Sequence, residues 1–328
     1  MECIGIDVSK NTLEAAIVRK TGDFSEKVLR SHSFNNNTKG LEGLLSWSER
    51  TALSPETLFV MEATGTYYEL AADFLYNAGM SVVVELPNKI KSFAKSRNVK
   101  TKTDKVDAKV IAAYGLHCAT RRWKPMTENL AHMRTYIRQT CSLIKERTAC
   151  KNQLHALEHS ANTPEMLKRD LLDRIETLTR YIEKYQGETL RIAAEDGEFY
   201  SRAVKVASIK GVSLLTVLAV LCETNGFSLC TNVRQAVSYA GLDISLNDSG
   251  TFKSKGRISK RGNARIRYAL YLPAITASHY GPESIRKLYS RITDRRPDAK
   301  KVAIVAAERK LYTLIYTLWK KNEPFKVL

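Results

Sequence analysis

The first hundred residues combine two hydrophobic periods, one typical of strands and one typical of helices. Short apolar or alternating runs predict strands at residues 3–8, 12–18, 27–34, 58–62 and 81–86. Residues 38–50 and 67–78 carry apolar residues at helical spacing, and Pro87 predicts the start of a further helix. The predicted order is three strands, a helix, a strand, a helix, a strand and then helices.

This order predicts the fold of the first part of the chain. Strands that alternate with helices form an α/β domain around one sheet. With Asp7 on the first strand and Glu62 on the fourth, the order has the plan of a ribonuclease-H-like (RuvC-like) domain. We expect this domain to occupy residues 1–125.

The next part of the chain is helical and predicts a linker at residues 126–199. Apolar residues at helical spacing predict one helix at 127–159 and a second at 165–185. The second helix has a seam with alternating spacings of three and four, formed by Leu167, Leu171, Ile175, Leu178 and Ile182. Such a seam is typical of a coiled coil. A single amphipathic helix facing a core explains it equally well.

Residues 200–328 are expected to form a separate, mainly α-helical C-terminal domain. Residues 208–219 resemble a helix-hairpin-helix turn, in which backbone N–H groups face a DNA phosphate. Ser213 stands where that motif has its second glycine, and a plain buried helix is the alternative. Further on, a basic, glycine-containing loop precedes a helix that is expected to begin near Asn263.

Four acids are placed where a metal-dependent enzyme of nucleic acids needs them. Asp7 and Glu62 each end an apolar run, which is costly near a core unless a cation or hydrogen bonds compensate. Asp104 and Asp107 are three residues apart and share a face of a helix. Oxygen ligands of this kind suit Mg²⁺, which assists phosphoryl transfer. Each acid alone would be an ordinary cap or surface charge, but the set indicates one function.

The charge distribution points to nucleic acid as the partner. The net charge of the chain is +18, from 52 basic and 34 acidic residues. Residues 88–109 carry eight Lys or Arg, and residues 253–267 carry seven with no acid. Such clusters favour a polyanion, because neutralised phosphates release counterions. The predicted nucleic-acid contacts are Lys100, Lys102, Lys105, Lys253, Lys255, Arg257, Lys260, Arg261, Asn263, Arg265 and Arg267.

The cysteines and the apolar runs bear on the compartment. The six cysteines form no CxxC pair and no close zinc-type spacing, which predicts reduced and mostly buried thiols. Nothing at the N-terminus resembles a signal peptide, and the longest apolar run, residues 212–221, is too short for a bilayer. These features predict a soluble intracellular protein. A cytoplasmic location in a bacterium, in association with the nucleoid, is what the family resemblance described below implies.

Ser249 lies before a glycine and a run of cations. On composition alone it is a turn serine, since serine and glycine are common turn residues. An exposed nucleophile is the second interpretation, and a serine in that role needs activation.

Several motifs together resemble the DEDD-type transposases and recombinases of one bacterial insertion-sequence family, which includes pilin-gene invertases. The similar blocks span nearly the whole chain, in the family's order, at residues 5–10, 62–67, 102–108, 208–212, 239–242, 248–250 and 258–263. In this chain Asp248 stands where the family more usually has glutamate before the serine.

The resemblance implies a fold and a mechanism. Members of this family have a RuvC-like domain, a coiled-coil linker and a C-terminal transposase domain. A structured RNA from the insertion element guides them to donor and target DNA. By resemblance Asp7, Glu62, Asp104 and Asp107 hold Mg²⁺, and Ser249 forms a covalent link to DNA. The family also implies dimers that join as a tetramer. Because Ser249 lies more than 140 residues beyond Asp107, across the helical linker, we also expect Ser249 of one chain to act with the acids of another.

Two other functions compete with an RNA-guided recombinase. A Holliday-junction resolvase or ribonuclease-H-like nuclease would use the same four acids and a water nucleophile. A nucleic-acid-binding protein with a decayed fold would need none of the acids. A covalent serine adduct on DNA distinguishes the recombinase from both.

Overall fold

The computed structural model describes residues 1–23, 25–51, 54, 56–63, 65–99, 103–118, 120–245, 249 and 256–326. The chain divides into two compact units, Met1–Pro125 and Met126–Leu328.

The first unit contains a mixed five-stranded sheet. Its strands are β1 (Glu2–Val8), β2 (Thr12–Lys20), β3 (Glu26–Asn35), β4 (Leu58–Glu62) and β5 (Ser81–Glu85). The order across the sheet is β3-β2-β1-β4-β5. β1 pairs antiparallel with β2 and β2 with β3, whereas β4 is parallel to both β1 and β5. The strand and helix order predicted from the sequence is therefore confirmed.

Four helices cover the two faces of this sheet. They are α1 (Thr38–Glu49), α2 (Tyr67–Asn77), α3 (Pro87–Ser96) and α4 (Asp104–His117). Ile4 and Ile6 of β1 pack in one cluster with residues of α1 and α2. Cys3 points to the other face, where it packs in a cluster with residues of α3 and α4. The alternation of side chains along β1 thus separates two hydrophobic layers.

The second unit is mostly helical. Its elements are α5 (Glu128–Glu158), α6 (Glu165–Glu195), α7 (Gly197–Ala207), α8 (Leu214–Thr224), α9 (Val233–Tyr239), β6 (Ile244–Ser245), β7 (Arg257–Ile258), α10 (Ala264–Tyr280), α11 (Glu283–Arg295) and α12 (Lys300–Lys321). The helix expected near Asn263 is confirmed, because Asn263 is the N-cap of α10. The short pair β6 and β7 was not predicted.

The two long helices α5 and α6 pack against each other. Leu171, Ile175 and Leu178 of the predicted seam share a cluster with Cys150 and Leu154 of α5. These seam residues therefore contact a helix of the same chain. α5 and α6 also belong to the same compact unit as the C-terminal helices, so the three-part domain division stays a prediction.

Helix α6 is ten residues longer than its predicted span. Gly187 lies inside it, and glycine weakens a helix interior. Ile192 and Ala193 nevertheless lie in the main core of the second unit. Burial of these side chains explains why the helix continues, because tertiary packing overrides local propensity.

A tight turn joins α7 and α8 where the helix-hairpin-helix resemblance was noted. Gly211 has φ +93°, and a Cβ at this position would contact Thr276. Ser213 accepts a hydrogen bond from the backbone N–H of Thr216 and so caps α8. Lys210 in the turn is exposed. The turn is thus a helix–turn–helix connection, and its contact with DNA stays a prediction.

In the parts of the chain that the structure describes, no helix combines the length and apolar character needed to cross a membrane. The six cysteines are all free, and four of them are buried.

Candidate active site and nucleic-acid-binding surface

Asp7 and Glu62 lie at the same edge of the sheet and on the same face. The parallel register of β1 and β4 pairs Ile6 with Met61, so Asp7 and Glu62 are next in register. Ile6 and Met61 pack in the cluster that includes α1 and α2. Since successive side chains of a strand alternate, the two acids point to the opposite face, which α4 covers. Both carboxylates are half-buried.

Helix α4 packs very closely on β1. A Cβ on Gly5 would overlap the carbonyl oxygen of Ala108 and the backbone nitrogen of Ala112. A Cβ on Gly115 would approach the Sγ of Cys3 to 2.6 Å. The C-terminal residues of β1 therefore face the N-terminal residues of α4. The N-terminus of α4 consequently lies at the edge of the sheet where Asp7 and Glu62 end their strands.

The remaining two acids begin this helix. Asp104 and Asp107 lie in the first turn of α4, where carboxylates are favoured by the helix dipole. The Thr103 side chain caps the helix by accepting a hydrogen bond from the N–H of Val106. Asp104 is exposed and Asp107 is half-buried. Strand register and helix direction thus place all four predicted acids at one corner of the first unit.

The side chains at this corner are not assembled as a ligand set. Within the described residues no group of three or more His, Cys, Asp or Glu side chains is arranged to hold a metal ion. The fit to a divalent cation therefore rests on the oxygen chemistry of four carboxylates and on their shared location. It does not rest on a coordination geometry.

A further strand-terminal acid, Glu85, was missed in the sequence. It ends β5 in register with Glu62 and is buried. Its carboxylate accepts hydrogen bonds from the Tyr114 hydroxyl at 3.0 Å and from the Leu86 N–H at 2.9 Å, and pairs with Lys89 at 3.0 Å. Burial, the charge of Glu85 and the hydrogen bond between the Tyr114 hydroxyl and Glu85 raise the pKa of Tyr114. The signal for Glu85 was the same apolar run ending in an acid.

Ser249 lies in the connection between two paired strands. β6 and β7 form an antiparallel pair, Ile244 with Ile258 and Ser245 with Arg257. Ser249 is exposed. Lys253 and Lys255 of the same connection, and Asp248, fall outside the described residues, as do Lys100 and Lys102. Their predicted roles stay predictions.

The other predicted nucleic-acid contacts form two groups, exposed cations and residues with hydrogen bonds inside the protein. Exposed cations are Lys105, Arg257, Lys260, Arg261 and Arg265.

Two predicted contact residues have internal hydrogen bonds instead. Arg267 donates to the carbonyl oxygen of Ala240 at 2.7 Å. Asn263 caps α10 through its Oδ1, and its Nδ2 donates to Glu223 at 2.7 Å. The Arg267 side chain thus ties α10 to the end of α9, and the Asn263 side chain ties the start of α10 to α8. Contact of either residue with nucleic acid stays a prediction.

Glu223, which the sequence analysis did not identify, is the centre of a buried network of hydrogen bonds and charges in the second unit. Arg138 of α5 donates to its two oxygens at 2.7 and 2.9 Å, and Asn263 donates to the second. Burial opposes ionisation of Glu223. The hydrogen bonds from Arg138 and Asn263 and the charges of Arg138 and Arg265 outweigh burial, so the pKa of Glu223 is lowered. A charged Glu223 thus ties α5, α8 and α10 together.

Two family models and a relative place the chain in one class of DNA-processing enzyme, the transposases and site-specific recombinases. Residues 4–159 match the DEDD transposase model of IS110 type, and residues 203–290 match the model described as "Transposase IS116/IS110/IS902 family". The two models cover most of the chain in the expected order. The chain belongs to the IS110 family of transposases.

Individual relatives agree with this assignment. The pilin gene-inverting protein of Moraxella bovis is 28% identical over an alignment 343 positions long, which covers 98% of this chain and 97% of the relative. The transposase for insertion sequence element IS1111A of Coxiella burnetii is 27% identical and covers 64% of this chain and 63% of its own. A Thermus thermophilus RuvC structure covers 38% of this chain and 100% of its own, with 14% identity and a TM-score of 0.30.

Proposed function

We propose that this transposase is an RNA-guided recombinase that cuts and rejoins DNA strands through a covalent link to Ser249. The observation that carries the proposal is the corner of the first unit, where β1, β4 and the first turn of α4 bring four carboxylates to one edge. Ser249 is exposed on a connection beside a cationic segment, as a group that attacks DNA must be.

The proposed reaction at Ser249 conserves the energy of the DNA backbone. The Oγ of Ser249 bonds to the phosphorus and loses its proton. The bond from phosphorus to the leaving sugar oxygen breaks, and that oxygen takes up a proton. A sugar hydroxyl from another strand then reverses the step and releases the serine. No ATP is needed, because a phosphodiester is exchanged for a phosphodiester.

Mg²⁺ is part of the proposal, with Asp7, Glu62, Asp104 and Asp107 as its ligands. Support comes from the donor chemistry, since hard divalent cations prefer carboxylate oxygens. When bound, such an ion supplies charge stabilisation at the scissile phosphate. Mg²⁺ titration calorimetry tests the assignment independently of activity, because Asp7→Asn should weaken binding while Asp23→Asn, an exposed acid in a turn, should not.

The guide RNA is proposed to bind the basic stretch at residues 88–109. Lys91, Lys95 and Lys105 are exposed there. Lys89 and Arg97 are paired with Glu85 and Glu26, so they contribute less free charge. Lys105→Ala should lower RNA affinity without altering sequence preference, whereas Lys39→Ala on α1 should not change it. Recombination by RNA-free protein that nuclease treatment leaves undiminished would contradict the guide.

The deciding experiment separates the recombinase from a resolvase or nuclease that uses water. Protein incubated with the DNA that carries its gene and flanks is denatured, digested and analysed by mass spectrometry. A phosphoserine-linked nucleotide at Ser249, lost in Ser249→Ala, supports the proposal. Cleaved DNA without an adduct supports the nuclease. Full strand exchange by Asp104→Asn would contradict the role of the acids.

The proposal includes a homodimer that joins a second dimer on DNA, with the acids of one chain and Ser249 of another acting on the same strand. Mixing Ser249→Ala with Asp7→Asn should then restore part of the activity. If every mixing ratio stays inactive while both variants bind RNA and dimerise, the two halves act within one chain.

A further inference from the structure

A large groove in the second unit carries chemistry that the proposed function does not use. It has a volume of about 1270 Å³ and lies between α9, the β6–β7 pair, α11 and α12. This exceeds the roughly 300–1,000 Å³ typical of pockets that hold one small molecule. The groove therefore has room for an extended ligand.

The rim of the groove is strongly cationic. Six side chains supply the charge: Arg234, Arg257, Lys260, Lys301, Arg309 and Lys310. None of the six makes an ion pair with a carboxylate in the described part of the chain. The acid among the lining residues, Asp243, accepts a hydrogen bond from Ser259. This charge complements a polyanion.

The floor of the groove is apolar, which a duplex does not require. Leu242, Ile258 and Val305 line it, and Ile244 and Val302 are 55% and 62% exposed. Exposed apolar surface next to cations suits a ligand with both anionic and apolar parts. Duplex DNA presents mainly phosphates and sugars, because its base faces are stacked. Unpaired nucleotides present their base faces as well.

We propose that this groove binds an unpaired nucleic-acid strand, with phosphates on the cationic rim and base faces against the aliphatic floor. The inference rests on the proposed function, because exchanging strands must unpair bases near the cut. The groove lies at the base of the β6–β7 pair, whose connection carries Ser249. A strand held there is released from its partner and kept within the same unit as the serine.

The first test measures binding to the rim. The full-length protein is titrated into a fluorescent single-stranded DNA of 12 nucleotides and into the matching duplex, with anisotropy as the readout. Arg309→Ala/Lys310→Ala should weaken single-strand binding about tenfold. It should also make the slope of log affinity against log salt shallower by about 1.4, because a single strand releases about 0.7 counterion per neutralised phosphate. Lys300→Ala/Lys321→Ala removes two exposed charges from the ends of the same helix and should change neither quantity.

The second test measures the floor. Val302→Ser keeps the charge and should weaken single-strand binding while leaving duplex binding unchanged. Leu272→Ser is the matched control, since Leu272 is 70% exposed on α10 and lies outside the groove. Circular dichroism establishes that each variant is folded.

Three outcomes overturn the inference. These are unchanged single-strand binding in both groove variants, equal losses for duplex and single strand, or preferential binding of an acidic peptide that displaces the DNA. The groove and the proposed function can fail separately. If the groove variants bind single strands normally and the wild-type protein forms the Ser249 adduct, the groove proposal fails and the proposed function stands. If the groove variants lose single-strand binding but the wild-type protein forms no adduct, the proposed function fails and the groove still binds single strands.

Discussion

Arg138 and Glu223 form a two-point ion pair that joins a long helix to the core of the second unit. Nε of Arg138 lies 2.7 Å from Oε1 of Glu223, and Nη2 lies 2.9 Å from Oε2. The Tyr239 hydroxyl donates to the carbonyl oxygen of the same glutamate at 3.0 Å. The ion pair therefore connects α5 to α8, and the hydrogen bond from Tyr239 connects α8 to the end of α9, which precedes β6 and Ser249 in the chain.

Removing Arg138 should destabilise the second unit. Arg138→Ala leaves the charge of Glu223 buried without its main partner, which should cost about 3 kcal/mol at pH 7. The pKa of Glu223 is lowered by folding. Its contribution is therefore present above pH 4.5 and is lost as the pH falls through the folded pKa. Urea unfolding of wild type and variant should converge at acidic pH.

Arg191 provides the control for this prediction. It pairs with Glu188 and Glu195 on the exposed side of α6. Arg191→Ala should leave the urea midpoint almost unchanged, because exposed pairs contribute little. A loss in Arg191→Ala as large as that in Arg138→Ala would contradict the importance of the buried network.

Gly5 is expected to determine the position of α4. Gly5→Ala places a Cβ inside the backbone of Ala108 and Ala112, so the helix must move. Overpacking should lower stability by about 1–3 kcal/mol and displace Asp104 and Asp107, with loss of strand exchange.

Gly187→Ala is the opposite case. Nothing lies within 4 Å of a Cβ at this position inside α6. Alanine should raise stability by about 0.5–1 kcal/mol, because it favours a helix interior. Thermal unfolding and an exchange assay compare the two variants, and a harmless Gly5→Ala would rule out the close packing of α4.

Glu308 should make stability fall as the pH rises. It is buried on α12, and its Oε1 has no hydrogen-bond partner among the described residues. Burial raises its pKa from 4.5 to about 7, and the charge of Arg267 opposes the shift. Folded protein therefore binds more protons than unfolded protein between these values, and the penalty is complete above pH 7.

Glu308→Gln tests this directly. The variant should be more stable than wild type by about 1–3 kcal/mol at pH 8. The advantage should disappear below pH 4.5, where the wild-type carboxyl is neutral in both states. An advantage that does not change with pH would show that ionisation is not its cause.

Tyr312, which is buried, and Tyr239, which is half-buried, should respond differently to the loss of the hydroxyl. The Tyr312 hydroxyl has no hydrogen-bond partner within the described residues, whereas that of Tyr239 donates to Glu223. Tyr312→Phe should be neutral or stabilising, because it removes an unsatisfied buried group. Tyr239→Phe should cost about 1 kcal/mol. Melting temperatures measured in parallel decide the matter, and equal losses would argue against the difference in partners.

The order of strands and helices in the first unit follows from local sequence patterns. Hydrophobic periods are local, and the turns and proline that separate them are local as well. Asp7 and Glu62 were also visible, because an acid that ends an apolar run departs from the pattern around it. Asp104 and Asp107 were visible as two acids at helical spacing. Glu85 carries the same signal and was missed.

Which residues come into contact depends on the tertiary fold. The parallel pairing of β1 with β4, and the packing of α4 on Gly5, bring the acids to one corner from positions as far apart as 7 and 107. The seam of α6 packs on α5, and burial of Ile192 extends α6 beyond its local signal. Glu223 and Asn263 belong to the same group, because their partners are distant in sequence. All of these features depend on contacts between segments that are far apart in the sequence. A local pattern of residues does not show the free energy of such contacts.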